Sequence, residues 1–237
     1  MTALIPAEAI LIDLDGTLID TAPDLAGATN RMLGFFGMAK VTETEVRRWI
    51  GNGVPRLVKR ALTGKMDGEP EAGLFARGYS QFMAFYAENL CLKSRPYPGV
   101  VETLEWLREE EFTLGCVTNK AADFTLPLLE QLGLRDLFAS VVSGDTTPRK
   151  KPSPEPLLYA AAKMGVSPSS CILVGDSEID IRAAHSARMP VICVTYGYNR
   201  GEDLNALNPA VTVDSFKQIR QLVIHRGVIS TNGRATE

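Results

Sequence analysis

Histidine is scarce in this chain of 237 residues: there are two, His185 and His225, and neither neighbours a cysteine. The four cysteines, Cys91, Cys116, Cys171 and Cys193, form no Cys-x-x-Cys pair. Together these absences argue against a zinc site. Cys116, Cys171 and Cys193 lie in apolar runs, so buried free thiols in a reducing cytoplasm are expected. Basic runs are missing and the net charge is −3, which argues against nucleic acid or an anionic membrane as partner. No segment has the length and apolarity of a transmembrane span, and residues 1–6 lack the basic and apolar regions of a signal peptide. With 45% hydrophobic and 22% charged residues, the composition is that of an ordinary soluble globular protein. A cytoplasmic monomer or small homo-oligomer is expected, long enough for a full core plus a small second domain. Any anion it binds has to be held by a local device.

One stretch offers such a device. Residues 9–12 are an unbroken apolar run, the pattern of a strand buried on both faces. The run leads into Asp13-Leu14-Asp15-Gly16-Thr17. In extended backbone, Asp13 and Asp15 share one side, and Gly16 permits a sharp turn. Asp-x-Asp-Gly also occurs as a plain turn. It opens calcium loops too, but such a loop needs Glu at its twelfth position, where this chain has Asp24, and a helix where this chain has a strand.

From residue 20 to 91 the pattern is helical throughout. Leu25, Ala28, Met32 and Phe36 recur at helical spacing, with Asp20 or Thr21 available as cap and Pro23 in the first turn. Thr42 and Glu45 form a capping box for a second helix. Gly51-Asn52-Gly53 breaks that helix, Pro55 starts a third, and a fourth runs over about 71–90. This segment reads as a small helical bundle. From about residue 100, helix and strand alternate. Strands are expected over 113–118, 138–142, 171–174, 191–194 and 211–213, and a last helix over about 214–223. Such alternation implies an α/β fold: a Rossmann-like, doubly wound parallel sheet with helices on both faces. The strand before Asp13 has to join that sheet, so the bundle is an insertion. Residues 1–19 and 92–225 then form the α/β core, 20–91 the inserted helical domain, and 226–237 a loose polar tail.

The other strands also end in polar groups. Residues 113–117 lead into Thr118-Asn119-Lys120, where a hydroxyl and backbone N–H groups can hold phosphate oxygens or simply cap a helix. Lys150 and Lys151 precede Pro152 and Pro154, and Lys151 is the better placed, on a fixed path just before a helix. Residues 172–174 lead into Gly175-Asp176, with Asp180 one helical turn further on. Four carboxylates in one crevice repel one another unless a divalent cation neutralises them. Oxygen donors without histidine or cysteine select a hard ion, Mg²⁺ above all.

These motifs, in this order, resemble those of the haloacid dehalogenase-like hydrolases: Asp13-Leu14-Asp15-Gly16-Thr17, then Thr118, Lys151, and Gly175-Asp176 with Asp180. Within that superfamily the chain is similar to the bacterial phosphoglycolate phosphatases through residues 51–55, 143–146, 149–154 and 196–201. The resemblance covers about residues 8–224. It implies a haloacid dehalogenase-like core with a mobile helical cap, acting on a small phosphorylated metabolite. It also implies Asp13 as nucleophile, Asp15 as general acid and base, and Mg²⁺ held by Asp13, the Asp15 backbone carbonyl and Asp176. Thr118 and Lys151 would stabilise the phosphoryl group, and Asp180 would position Lys151 and the waters of the metal. Thr118, Asn119, Gly51, Asn52, Gly53 and Arg56 are the substrate-binding candidates, with Arg56 or the Gly53 backbone expected on the substrate carboxylate. A metal-free dehalogenase would lack the second aspartate, Asp15. A phosphomutase, a phosphatase for a sugar-acid phosphate and a non-catalytic phosphate-binding domain are the other readings.

Overall fold

The computed structural model describes residues 4–227. In chain order its elements are β1 (Ile5–Ala7), β2 (Ala9–Ile12), β3 (Ile19–Asp20), then helices α1 (Ala22–Phe35), α2 (Glu43–Trp49), α3 (Val54–Thr63) and α4 (Ala72–Glu88). There follow β4 (Arg95–Pro96), α5 (Val100–Glu109), β5 (Thr113–Val117), α6 (Ala122–Gln131), β6 (Ser140–Val142) and α7 (Glu155–Met164). The chain continues through β7 (Cys171–Gly175), α8 (Glu178–Ala187), β8 (Val191–Val194), β9 (Val211–Val213) and β10 (Val223–His225).

Six strands form one parallel sheet in the order β6-β5-β2-β7-β8-β9. All four residues of β2 are buried, as the apolar run requires of a strand covered on both faces. From β2 the chain builds outward through β5 and β6, then returns to the other side for β7, β8 and β9. β2 therefore sits where the strand order reverses, and the crevice beyond its carboxyl end is the ligand position of such sheets. Two apolar clusters cover the two faces. One contains Leu11, Leu173, Leu157 and Ala184. The other contains Ile10, Ile12, Leu104 and Phe216 and runs without a break into Met32, Val46, Val58 and Phe82 of helices α1–α4. The four inserted helices thus share one continuous core with one face of the sheet. The chain leaves for the insertion at β3 and returns at β4, and these two short strands pair antiparallel.

Local chemistry explains the helix starts. Thr42 and Glu45 close the expected capping box on α2. In α1, Pro23 lies in the first turn, but the Thr21 hydroxyl does not cap. The free N–H groups of Thr21 and Ala22 instead donate to the Tyr198 hydroxyl, at 2.8 and 2.9 Å.

The C-terminal part differs from the sequence-based expectation. Ser215 and Gln218 do form a capping box, but it starts a 3-10 turn, Phe216–Gln221, and not an α-helix. Val223 and the residues after it then pair as β10 with β1, in parallel. Arg226 does not belong to a loose tail: its guanidinium donates to Ser170 Oγ at 2.8 Å and to the Ser169 carbonyl at 2.7 Å. Residues 228–237 lie outside the described part. Among the described residues, no helix is long and apolar enough to cross a membrane.

Candidate active site

The ladder of β2 continues one residue past its end, where the Asp13 N–H donates to the Val174 carbonyl at 2.9 Å. The backbone then folds back on itself. Leu18 and Ile19 both donate to the Leu14 carbonyl, and Gly16 donates to the Ile19 carbonyl. Gly16 has φ +92°, a conformation that side-chain-bearing residues rarely adopt. A Cβ there would strike the Asp176 carboxylate, and one on Gly197 would strike Asp176 and the Gly16 carbonyl. Two stretches of bare backbone therefore form a slot that holds Asp176. Within it, Asp176 accepts from Thr17 Oγ1 at 3.2 Å and from the Tyr198 N–H at 2.5 Å.

Carboxylate oxygens of Asp13, Asp176 and Asp180 lie within 4.8 Å of one another, all three residues buried. Lys151 reaches this cluster from the loop before α7. Its Nζ donates to Asp13 Oδ1, Asp180 Oδ1 and the Val117 carbonyl, each at 2.7 Å. The other Asp180 oxygen accepts from Ser177 Oγ at 2.6 Å. Burial raises the Asp13 carboxyl from 3.8 to about 7; Lys151 opposes the rise and Asp180 adds to it. Asp176 is raised well above the usual carboxylate range, first by burial and then by Asp180 and Asp13. Burial pulls the Lys151 ammonium down, but Asp13 and Asp180 outweigh it and hold the lysine charged.

Asp15 stands apart from this cluster. Its Oδ1 accepts from Thr21 Oγ1 at 2.7 Å and from Lys120 Nζ at 3.2 Å. Lys120 also donates to the Tyr86 hydroxyl at 2.6 Å, a contact between the loop after β5 and helix α4 of the insertion. Burial would lower the Lys120 ammonium, yet Asp15 and Tyr86 together leave it raised. The Thr118 N–H donates to the Val142 carbonyl, and its hydroxyl accepts from the Lys120 N–H at 3.2 Å. No bond among the described residues uses the hydroxyl hydrogen, so it can be donated to a ligand.

Asp13, Asp15, Asp176, Asp180, Thr118, Lys120 and Lys151 line one cavity of about 50 Å³, roofed by Leu25, Ile50, Val54 and Leu57 of the insertion. Gly51, Gly53 and Asn119 line it as well, and Asn119 Nδ2 joins core to insertion by donating to the Gly51 carbonyl at 3.2 Å. Arg56 is not brought into the cavity. Its guanidinium pairs with Glu69 at 2.7 Å and Asp67 at 2.8 Å on the outer surface. Two carboxylates on the loop between α3 and α4 hold it there, outside the cavity where it was expected to meet the substrate. Asn52 is also outside: its Oδ1 accepts from Arg60 at 3.0 Å and Arg200 at 2.8 Å. Sequence reasoning passed over Lys120 and Tyr198. Lys120 follows directly on Thr118-Asn119, so the strand-end argument could have been carried one residue further.

The donor set suits a hard divalent cation. Four carboxylates line the cavity against two ammonium groups, burial and then neighbouring carboxylates raise Asp13 and Asp176, and every ligand atom the carboxylates offer is oxygen.

Residues 10–194 match the family model described as haloacid dehalogenase-like hydrolase. The chain is 48% identical over 216 residues to the phosphoglycolate phosphatase of Nitrosococcus oceani, covering 91% of this chain and 96% of that protein. It is 46% identical over 219 residues to the phosphoglycolate phosphatase of Thiobacillus denitrificans, covering 92% and 96%. The crystal structure of a predicted phosphoglycolate phosphatase from Haemophilus somnus superposes with a TM-score of 0.86 at 37% identity, covering 92% of this chain and 99% of that one.

Proposed function

We propose, on the premise that this chain belongs to the haloacid dehalogenase-like hydrolases, that it hydrolyses 2-phosphoglycolate to glycolate and phosphate through an aspartyl-phosphate. The observation that carries the reading is the separation of Asp15 from the cluster of Asp13, Asp176 and Asp180. One carboxylate, Asp13, is held by Lys151 as the nucleophile, and another, Asp15, lies outside that cluster, where it can move a proton.

In the first step an Asp13 carboxylate oxygen attacks phosphorus as the bond to the ester oxygen breaks. Asp15 gives its proton to the departing glycolate oxygen. In the second step Asp15 takes a proton from a water molecule, whose oxygen attacks phosphorus and frees Asp13 and inorganic phosphate. Thr118 donates its hydroxyl hydrogen to a phosphoryl oxygen, and Lys151 neutralises developing charge while fixing Asp13. Asp180 acts through Lys151, which it holds at 2.7 Å. Asp13, Asp176 and the Asp15 backbone carbonyl would hold Mg²⁺, whose charge keeps the carboxylates ionised and shields them from the anionic substrate. Helices α1–α4 act as a cap that keeps bulk water from the site.

A panel of phosphomonoesters assayed for phosphate release with Mg²⁺ tests the reading. Phosphoglycolate is expected to give the highest kcat/KM, with release abolished by EDTA. A higher kcat/KM for a sugar or sugar-acid phosphate would refute the substrate, and an isomerised sugar phosphate would identify a mutase.

A further inference from the structure

Phosphoglycolate carries two anionic groups, and the proposed mechanism gives a partner to one of them, the phosphate. Among the described residues, two cationic side chains line the cavity, Lys151 and Lys120. Lys151 has each of its three N–H groups engaged by Asp13, Asp180 and the Val117 carbonyl. Lys120 has three N–H groups and two protein partners, Tyr86 and Asp15. We infer that Lys120 is the counter-ion of the leaving group's carboxylate: with its third N–H it selects phosphomonoesters whose alcohol carries a carboxylate on its hydroxyl-bearing carbon.

This inference rests on the proposed phosphatase reading and supplies the specificity element that reading lacks. Position supports it. Lys120 Nζ lies 3.2 Å from Asp15, the residue assigned to the leaving oxygen. In phosphoglycolate the carboxylate is bonded to the carbon that bears this oxygen, so one end of the substrate brings both groups to the same corner. Alternatives are weaker. Leu25, Ile50, Val54 and Leu57 offer no side-chain donor. Asn119 spends its amide hydrogens on the Gly51 and Lys151 carbonyls and leaves Oδ1, an acceptor that repels a carboxylate, unpartnered.

The ammonium is also fixed in advance. Its side chain is buried, and the Tyr86 phenol that clamps it packs between Phe82 and Phe124, at centroid distances of 5.7 and 4.9 Å. A buried, clamped cation binds an anion more strongly than a flexible surface lysine, which first has to surrender water and rotamer freedom. The plainer role, a fixed partner for Asp15 alone, leaves the third N–H and the opening to the cavity without a use.

The test compares kcat/KM for phosphoglycolate with that for 2-hydroxyethyl phosphate, which has the same chain length and no carboxylate. Wild type should prefer phosphoglycolate. In Lys120→Met the preference should fall by roughly 10- to 100-fold, the range of one charged hydrogen bond, with KM for phosphoglycolate rising more than its kcat falls. Lys120→Arg, which keeps the charge, should retain most of the preference. A Lys120→Met protein that loses both activities by the same factor, or keeps the preference, overturns the inference. If Lys120→Met does not fold or turns over neither ester, Tyr86→Phe decides. That variant leaves the lysine in place but unclamped and should lower the preference at least threefold; an unchanged ratio overturns the inference. A wild-type enzyme without preference for phosphoglycolate would instead refute the proposed substrate, so the two failures are distinguishable.

Discussion

Replacing Asp13 by Asn should make the metal-free protein more stable at the same time as it abolishes turnover. Asp13 is buried within 4.8 Å of two more carboxylate groups. Burial, followed in weight by the opposing pull of Lys151 and the repulsion of Asp180, holds its carboxyl at about 7, against 3.8 when unperturbed. At pH 8 the side chain is ionised in both folded and unfolded chains, and the folded chain bears the whole penalty. That difference is about three decades of acidity, and at about 1.4 kcal/mol per decade it amounts to about 4 kcal/mol. The sign follows from proton binding. A raised folded-state carboxyl binds more protons than the unfolded one between about pH 4 and 7, so stability falls as pH rises through that window. Asn is nearly isosteric and uncharged, and it leaves Lys151 its bonds to Asp180 and the Val117 carbonyl. For a chain of this size each kcal/mol moves Tm by about 2–4 °C. In EDTA at pH 8, Asp13→Asn should melt roughly 8–16 °C above wild type by calorimetry. Near pH 4.5 the gap should shrink to a few degrees, because folded wild type then carries the proton. Adding Mg²⁺ at pH 8 should raise wild type more than the variant and narrow the gap. An Asp13→Asn protein that melts at or below wild type in EDTA at pH 8 would refute the reasoning and show that the attraction of Lys151 outweighs the cost of burying the charge.

Two further outcomes follow from the same geometry. Asp15→Asn should lose at least about a thousandfold in kcat on phosphoglycolate, general acid–base assistance being worth about 10²–10⁴ per step. With 4-nitrophenyl phosphate, whose leaving group needs no proton, a phosphorylated enzyme should accumulate and be trapped on rapid quenching; a loss equal for both esters would count against the proton role. Arg56→Ala should leave KM for phosphoglycolate within about twofold, and the lost surface ion pairs should cost less than about 1 kcal/mol. A tenfold rise in KM would show that the guanidinium swings into the cavity.

Much of this site was legible because its parts sit at strand ends. An apolar run of four residues followed by Asp-x-Asp-Gly fixes both a buried strand and the direction of its carboxylates, and the same pattern repeats at Thr118 and Asp176. Long side chains were harder to read. Nothing in local spacing tells that Arg56 turns outward, because Asp67 and Glu69, which hold it, lie on the following loop. Lys120 was passed over for the converse reason, since its partner Tyr86 is 34 residues distant and looks like one more apolar-face aromatic. The edge pair β1 and β10 escaped because three-residue strands have too little pattern to register, and the capping box at Ser215 favoured a helix. Register between chain ends is a tertiary property, and it overrode that local signal.

The slot around Asp176 bears on how this enzyme can be altered. Its walls are main chain at Gly16 and Gly197, already at contact with the carboxylate. A polypeptide backbone cannot be trimmed, and enlarging it there displaces the ligand it cradles. Redesign toward bulkier esters is therefore confined to the opposite side, where Ile50, Val54 and Leu57 can be shortened one methyl at a time without disturbing the acidic floor.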